Sequence, residues 1–227
     1  MSIKGLLFDF DGTLCMNSDI HTMALIRTFA KYGVPAPSDE KMTLEIFGKS
    51  NELLYRENID ANGTREDILK FHEIKENEYH DQFLELPHRF RLTDGAYELL
   101  DYLKDNGIPF CMATGSPIAN IDFYREHLGI DKWFGDGNLI YDDGTFKGKP
   151  APDVYLKAAE RIGLDPSECL VFEDGTSGIK AARAAGCGGV VAVYDKRFEL
   201  PGNIKAMVDS IHHDLNDWKN ILSNYGI

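Results

Sequence analysis

Two aspartates near the start of the chain, Asp9 and Asp11, are separated by one residue and end an apolar segment. Carboxylates this close repel each other unless a cation lies between them or one of them holds a proton. A hard divalent ion such as Mg²⁺ prefers oxygen ligands, and one or two carboxylates together with a substrate phosphate suit it well. Gly12 follows and would let the chain turn sharply and approach a ligand. The pair therefore predicts phosphoryl chemistry, and an ordinary acidic turn is the alternative interpretation.

The apolar segment that leads to these acids is the first of the elements that must position them. Residues Ile3 to Phe10 are apolar on both faces, which is typical of a central parallel strand covered by helices on each side. From Asp94 onward strand-like and helix-like segments alternate, which indicates a parallel sheet with crossover helices. We therefore predict an α/β fold with a Rossmann-like parallel sheet core and helices on both faces, and ligands bind at the carboxyl ends of such strands. The later predicted strands run from Pro109 to Thr114, Cys169 to Glu173 and Gly189 to Tyr194, and the helices from Asp94 to Asp105, Pro117 to Leu128, Asp153 to Ile162 and Ser177 to Ala185.

The chain between Ser18 and Leu86 has a different pattern. Its apolar residues recur at helical spacing, and no strand-like run interrupts them. We predict that residues 1–15 and 91–227 form the α/β catalytic core and that residues 16–90 form an inserted, all-helical cap. Because the insertion begins beside the acidic pair, the cap could close over the site and exclude water. A rigid second lobe that serves stability alone is the alternative.

Two later motifs have the chemistry to hold a phosphate. Thr114, Gly115 and Ser116 follow a strand-like run, and their hydroxyls and the N–H groups of the next helix start would cradle an anion, although ordinary helix starts look the same. Lys149 precedes two closely spaced prolines that restrict the backbone around it. Its ammonium would neutralise Asp9 and an incoming phosphate, and a solvated loop lysine is the alternative.

A last acidic motif, Glu173 and Asp174, ends the strand-like run that starts at Cys169. These acids would supply the remaining protein oxygens for a metal ion. A helix N-terminus explains one acid at such a position, but it does not explain acids at two separate strand ends.

Composition limits the partners that the chain would bind. With 24 basic and 37 acidic residues the formal net charge is −13, so the surface as a whole would repel nucleic acid. No cleavable apolar leader is recognisable, and no apolar run approaches membrane-spanning length. The four cysteines lack paired spacing, which predicts reduced thiols. We expect a cytoplasmic protein, a monomer or weak dimer, with no nucleic-acid or membrane partner.

The four motifs together resemble a known family. Asp9–Thr13, Thr114, Lys149–Pro150 and Glu173–Asp174 occur in the order and rough spacing of the haloacid dehalogenase-like hydrolase superfamily, and the resemblance covers nearly the whole chain. The helical insertion is similar to the cap of the group that includes beta-phosphoglucomutase and many small-metabolite phosphatases. Four motifs in this order are specific for the superfamily but not for a substrate.

The resemblance implies a mechanism. Asp9 would be the nucleophile that forms an aspartyl-phosphate, and Asp11 would be the general acid and base. Mg²⁺ would be bound by the Asp9 carboxylate, the Asp11 backbone carbonyl and Asp174. Glu173 would lie next to these ligands without binding the ion itself. The remaining phosphate oxygens would be held by two further residues, Thr114 and Lys149.

The resemblance also implies substrate contacts. The residues of this chain that would bind substrate are Gly12, Gly115 and Ser116 in the core and His21, Gly48, Lys49, Ser50 and Asn51 in the cap. Asp11 argues against dehalogenases and phosphonate-cleaving members, which do not protonate an alkoxide. Asn51 stands where beta-phosphoglucomutase carries an arginine for a second phosphate.

These residues favour a Mg²⁺-dependent phosphatase that acts on a small phosphorylated metabolite, either a sugar phosphate or a nucleotide-related monoester. One alternative is a phosphosugar mutase similar to beta-phosphoglucomutase. Another alternative is a non-catalytic phosphoester-binding protein that keeps the fold.

Overall fold

The computed structural model describes residues 2–38, 42, 50–86, 91–135, 137–194 and 200–227. The chain divides into two compact units, which we call the core unit (residues 1–16 and 91–227) and the helical unit (residues 17–90). In the described part of the chain, no helix is both long enough and apolar enough to traverse a lipid bilayer.

The helical unit contains three described helices with a small apolar core. Helices α1 and α2 both pack against α3. A buried cluster that includes Phe29, Leu54 and Phe71 joins the three helices. The hydroxyl of Thr64 caps α3 and the Asp67 carboxylate returns the contact, so both ends of this capping box are formed. The helices are α1 Ser18–Lys31, α2 Asn51–Asn58 and α3 Arg65–Glu85.

The core unit is built on a six-stranded sheet in which every pair of neighbouring strands is parallel. The strand order is β3-β2-β1-β4-β5-β6, so the first strand lies near the centre. This arrangement confirms the predicted parallel α/β fold. The strands are β1 Gly5–Phe8, β2 Phe110–Pro117, β3 Leu139–Asp142, β4 Cys169–Glu173, β5 Gly189–Val193 and β6 Ser210–His212.

Helices cover both faces of this sheet. On one face, residues of α7 and α8 join a buried cluster with alternate strand residues such as Leu7 and Val171. On the other face, Phe110 of β2 contacts Phe134 of α6, with the ring centroids 5.5 Å apart. The helices of the core unit are α4 Ala96–Asp105, α5 Ile118–Leu128, α6 Asp131–Phe134, α7 Asp153–Arg161, α8 Thr176–Ala184, α9 Gly202–Lys205 and α10 Trp218–Asn224.

The ends of the first two strands differ from the sequence prediction. Strand β1 stops at Phe8 because the chain turns at Phe10 and Gly12, and Gly12 has a positive φ of 87° that favours glycine. Strand β2 continues to Pro117, so the hydroxyl motif belongs to the end of a strand rather than to a helix start. The pairing of β2 with β3 is irregular between Ala113 and Pro117, which shapes this strand end. By contrast, β4 has the predicted bounds.

Candidate active site

The candidate site lies at the carboxyl ends of three adjacent strands, β2, β1 and β4. Phe8 of β1 pairs with Met112 of β2 and Phe172 of β4, so the residues that follow these strands come together at one edge. The backbone N–H of Asp9 donates to the carbonyl of Phe172 at 3.0 Å, which extends the pairing with β4 by one residue. The sheet therefore places Asp9 beside the acidic end of β4.

Lys149 joins the first and last acidic motifs. Its ammonium Nζ lies 2.6 Å from Asp9 Oδ1 and 2.6 Å from Glu173 Oε1, and all three side chains are almost fully buried. Burial lowers the pKa of Lys149, but the carboxylates of Asp9 and Glu173 more than offset it and hold that pKa above its ordinary value. The lysine is therefore a fixed positive charge and not a solvated loop residue.

The acids around Lys149 carry more negative charge than one ammonium neutralises. Oxygens of Asp9, Glu173 and Asp174 lie within 4.8 Å of one another. Burial raises the pKa of Asp9 to about 8, with Lys149 opposing and Glu173 adding to the rise. Burial, Glu173 and Asp9 also raise the pKa of Asp174 well above its ordinary value. An all-oxygen cluster with excess negative charge fits a hard divalent cation such as Mg²⁺.

Glu173 is fixed by hydrogen bonds to both of its oxygens. Oε1 accepts from Lys149 Nζ and, at 2.8 Å, from the hydroxyl of Tyr155 on α7. Oε2 accepts from the backbone N–H of Gly175 at 2.8 Å. A Cβ atom at position 178 would lie only 1.5 Å from Oε1, so Gly178 makes room for this carboxylate. Glu173 is therefore held in one position, from which it orients the ammonium of Lys149.

The two aspartates of the first motif have different surroundings. Asp11 Oδ2 accepts from Ser116 Oγ at 2.5 Å, and Oδ1 accepts from the hydroxyl of Tyr124 at 2.6 Å. Asp9 instead faces Lys149, on the side of β4. The resemblance implied different roles for the two aspartates, and the structure gives them different partners, an ammonium for Asp9 and two hydroxyls for Asp11.

Only part of the hydroxyl motif, residues 114–116, is available to bind an anion. Thr114 is buried, and its Oγ1 accepts from the backbone N–H of Ser116 at 3.0 Å. Its hydroxyl hydrogen is still available for an anion, since a hydroxyl donates once in addition to accepting. The hydroxyl of Ser116 is engaged by Asp11, and Gly115 is exposed between them.

Within the helical unit, the structure brings His21 and Asn51 near one buried acid. The His21 ring stacks on Tyr79 with centroids 4.0 Å apart, and Asn51 Nδ2 lies 3.5 Å from Glu76 Oε1. Burial raises the pKa of Glu76, but the charge of Lys75, then a hydrogen bond from His72 and the charge of His21, hold that pKa well below its ordinary range. Ser50 caps α2 by accepting from the N–H of residue 53. The other two predicted contacts, Gly48 and Lys49, lie outside the described residues.

Sequence reasoning missed the tyrosines and the buried acid. Tyr124 and Tyr155 lie at buried positions of α5 and α7, where their spacing indicates only a packed apolar face. Glu76 lies in a long charged stretch of α3, where a buried acid cannot be told from an exposed one by sequence. The glycine at position 178 gave a signal, because an alanine-rich helix with a single early glycine indicates close packing at that point.

Comparison with known proteins decides the family. Residues 3–186 match the family model described as haloacid dehalogenase-like hydrolase. The chain belongs to this family of hydrolases. It is 34% identical over 192 residues to Protein CbbY of Rhodobacter capsulatus, covering 82% of this chain and 83% of that protein. It is 26% identical to a Phosphorylated carbohydrates phosphatase of Thermotoga maritima, covering 97% of this chain and 90% of that protein.

A solved structure supports the same assignment. The crystal structure of a HAD hydrolase, family IA, variant 3, from Entamoeba histolytica is 31% identical in sequence and superimposes with a TM-score of 0.83. The match covers 95% of this haloacid dehalogenase-like hydrolase and 95% of the other chain. The resemblance inferred from the four motifs is therefore confirmed at the level of the family.

Proposed function

We propose that the chain is a Mg²⁺-dependent phosphatase of a small phosphorylated metabolite and that it works through an aspartyl-phosphate on Asp9. The observation that carries the proposal is the buried contact of Lys149 with both Asp9 and Glu173 at 2.6 Å, beside Asp174. The Thermotoga maritima relative named for phosphorylated carbohydrates supports a sugar phosphate or similar monoester as the substrate.

The donor set suits Mg²⁺. The residues that would hold the ion are the carboxylates of Asp9 and Asp174 together with the backbone carbonyl of Asp11. Glu173 already accepts three hydrogen bonds, so it would not bind the ion directly and would keep Lys149 in place. When bound, Mg²⁺ supplies positive charge that stabilises the negative charge developing on the phosphoryl oxygens.

The first half-reaction transfers the phosphoryl group to the chain. An oxygen of the Asp9 carboxylate attacks phosphorus, the bond from phosphorus to the ester oxygen breaks, and Asp11 gives a proton to that oxygen. Lys149 has three N–H donors, of which two contact Asp9 and Glu173, so the third is left for a phosphate oxygen. Thr114 donates its hydroxyl to another phosphate oxygen.

The second half-reaction returns the enzyme to its starting state. Asp11, now a carboxylate, takes a proton from a water molecule as that water attacks phosphorus. The bond between phosphorus and the Asp9 oxygen breaks, and inorganic phosphate leaves. Asp11 thus alternates between acid and base, while Asp9 begins and ends each cycle as a carboxylate.

We assign the helical unit the role of a cap that selects the leaving group. The chain enters this unit directly after the first motif, at residue 17. Its candidate substrate contacts are those inferred from the sequence, of which His21 and Asn51 lie near the buried acid Glu76.

The test is release of inorganic phosphate from a panel of sugar phosphates, nucleotides and phosphorylated cofactors. We expect turnover to require Mg²⁺ and to be lost in Asp9→Asn. The matched control is Asp105→Asn on the exposed surface of α4, which should retain full turnover. Undiminished turnover in Asp9→Asn, or turnover that is unaffected by removal of divalent ions, would overturn the proposal.

Products of the same reactions should be followed by phosphorus NMR. A phosphatase gives inorganic phosphate, whereas a mutase would give an isomerised phosphoester, depend on a bisphosphate activator and release little phosphate. A chain that binds the monoesters and converts none of them would be a phosphoester-binding protein.

A further inference from the structure

We infer that Tyr124 is a positioning residue for Asp11 and that, together with Ser116, it fixes the direction in which the Asp11 carboxyl group meets the leaving-group oxygen. The inference rests on the proposed function, because it assumes that Asp11 transfers the proton. It assigns a role to a residue that has no place in the four sequence motifs.

The position of Tyr124 joins α5 to the turn that follows β1. The residue is fully buried, and its hydroxyl lies 2.6 Å from Asp11 Oδ1. Its ring stacks on Phe10, with the centroids 4.4 Å apart and the planes inclined by 29°. One side chain therefore contacts two consecutive residues of the turn, the ring through packing and the hydroxyl through a hydrogen bond.

Ser116, at the end of β2, provides a second hydrogen bond to the Asp11 carboxylate. Its Oγ lies 2.5 Å from Asp11 Oδ2, so each oxygen of the Asp11 carboxylate has its own hydroxyl partner. Two partners from α5 and from the end of β2 leave the carboxylate one orientation. A single partner would let it rotate about the bond that joins it to the chain.

The chemistry of these partners suits a group that both gives and takes protons. A hydroxyl donates to a carboxylate and also accepts from a carboxylic acid, so either contact with Asp11 can persist in both half-reactions. An ammonium only donates. The ammonium of Lys149 contacts Asp9, which attacks as a carboxylate, and the two hydroxyls contact Asp11.

The sharpest variant is Tyr124→Phe, because it removes the hydroxyl and keeps the ring that stacks on Phe10. The control is Tyr225→Phe, which also removes a tyrosine hydroxyl bonded to an aspartate, here Asp209. Tyr225 packs against Gly189 at the start of β5, whereas the candidate site lies at the carboxyl ends of the strands. Thermal unfolding of both variants reports whether they fold.

Two substrates separate positioning from packing. The first is 4-nitrophenyl phosphate, whose leaving group departs as a stable anion and needs no proton. The second is the alkyl monoester that the panel shows to be turned over fastest, whose alkoxide must be protonated. We expect Tyr124→Phe to lower kcat/KM for the alkyl ester about ten- to hundredfold, the scale of a misaligned catalytic group. For 4-nitrophenyl phosphate we expect kcat/KM to change less than about threefold, because protonation is not part of that bond cleavage.

Each other outcome counts against the inference. Equal losses with the two esters would show that Tyr124 serves packing alone, and no loss with either would show that its hydroxyl is idle. If Tyr124→Phe does not fold, Ser116→Ala must show the same dependence on the ester, and a uniform loss there overturns the inference. A wild-type protein that hydrolyses neither ester overturns the proposed function itself, which is a separate result.

Discussion

At the scale of single residues, the first motif contains two aspartates whose partners differ in kind. Asp9 contacts the ammonium of Lys149, and Asp11 contacts the hydroxyls of Ser116 and Tyr124. The sequence predicted that Lys149 would neutralise Asp9, but it did not indicate that hydroxyls would bind the Asp11 side chain. These hydroxyls belong to residues more than 100 positions away in the chain, so only the folded arrangement reveals them.

Lys149 should matter to stability as well as to catalysis. We expect Lys149→Met to lower the free energy of unfolding by about 3 kcal/mol near neutral pH, because it removes the ammonium against which the side chains of Asp9 and Glu173 are buried. Urea unfolding without divalent ions measures this change. The exposed lysine of α8 provides the control Lys180→Met, which should change stability little.

The loss in Lys149→Met should depend on pH. Burial already raises the pKa of Asp9 from 3.8 to about 8, and removing Lys149, which lowers that pKa, would raise it further. A carboxyl group with a raised folded-state pKa binds more protons in the folded state, so stability falls as pH rises through the window above 3.8. Wild type and variant share this fall below about pH 8, where Asp9 keeps its proton in both, so the deficit should be nearly constant there and should grow as pH rises above about 8. A deficit that grows as pH falls would contradict the assignment.

At the scale of elements, the close approach of α8 to the end of β4 shapes the site. Glu173 fits only because residue 178 has no side chain, since a Cβ there would lie 1.5 Å from Oε1. The same carboxylate receives Gly175 N–H at the start of α8 and the Tyr155 hydroxyl from α7. Two helices and one strand thus orient one acid, which in turn orients Lys149.

We expect Gly178→Ala to displace the Glu173 carboxylate, to reduce turnover at least about tenfold and to lower stability by about 1–3 kcal/mol, the usual cost of overpacking. Turnover of the best panel substrate and urea unfolding measure the two effects. The matched control is Gly202→Ala at the start of α9, where a Cβ meets no atom within 4 Å. If the two variants behave alike, the packing account of Glu173 is wrong.

The elements also show why part of the fold was predictable and part was not. β1 and β4 are continuous apolar runs that end in acids, so their existence and their place near the centre follow from the sequence. β3 and β6 are edge strands of four and three residues with partly exposed side chains, and such short segments have no distinct pattern. The two tyrosines that bond Asp11 and Glu173 occupy helix positions where an apolar residue would give the same pattern.

At the scale of the whole molecule, one sheet edge unites motifs that lie between residues 9 and 174. A parallel sheet brings all its carboxyl ends to the same edge, so the order and type of the motifs were enough to predict that Asp9 and Asp174 meet. The leaving group is a different matter. We propose that its contacts belong to the helical unit, and no sequence motif there indicates the interactions of side chains such as Glu76 and His21.

The central claim is that Asp9 carries the phosphoryl group during turnover. The most direct test is to mix the enzyme with Mg²⁺ and its best monoester, stop the reaction within one turnover, and reduce any acyl phosphate with borohydride. Peptide mass spectrometry then locates the reduced side chain. We predict homoserine at position 9. Its amount should equal the excess of released leaving group over released inorganic phosphate. Leaving group and phosphate released together, with residue 9 unmodified throughout, would contradict the account.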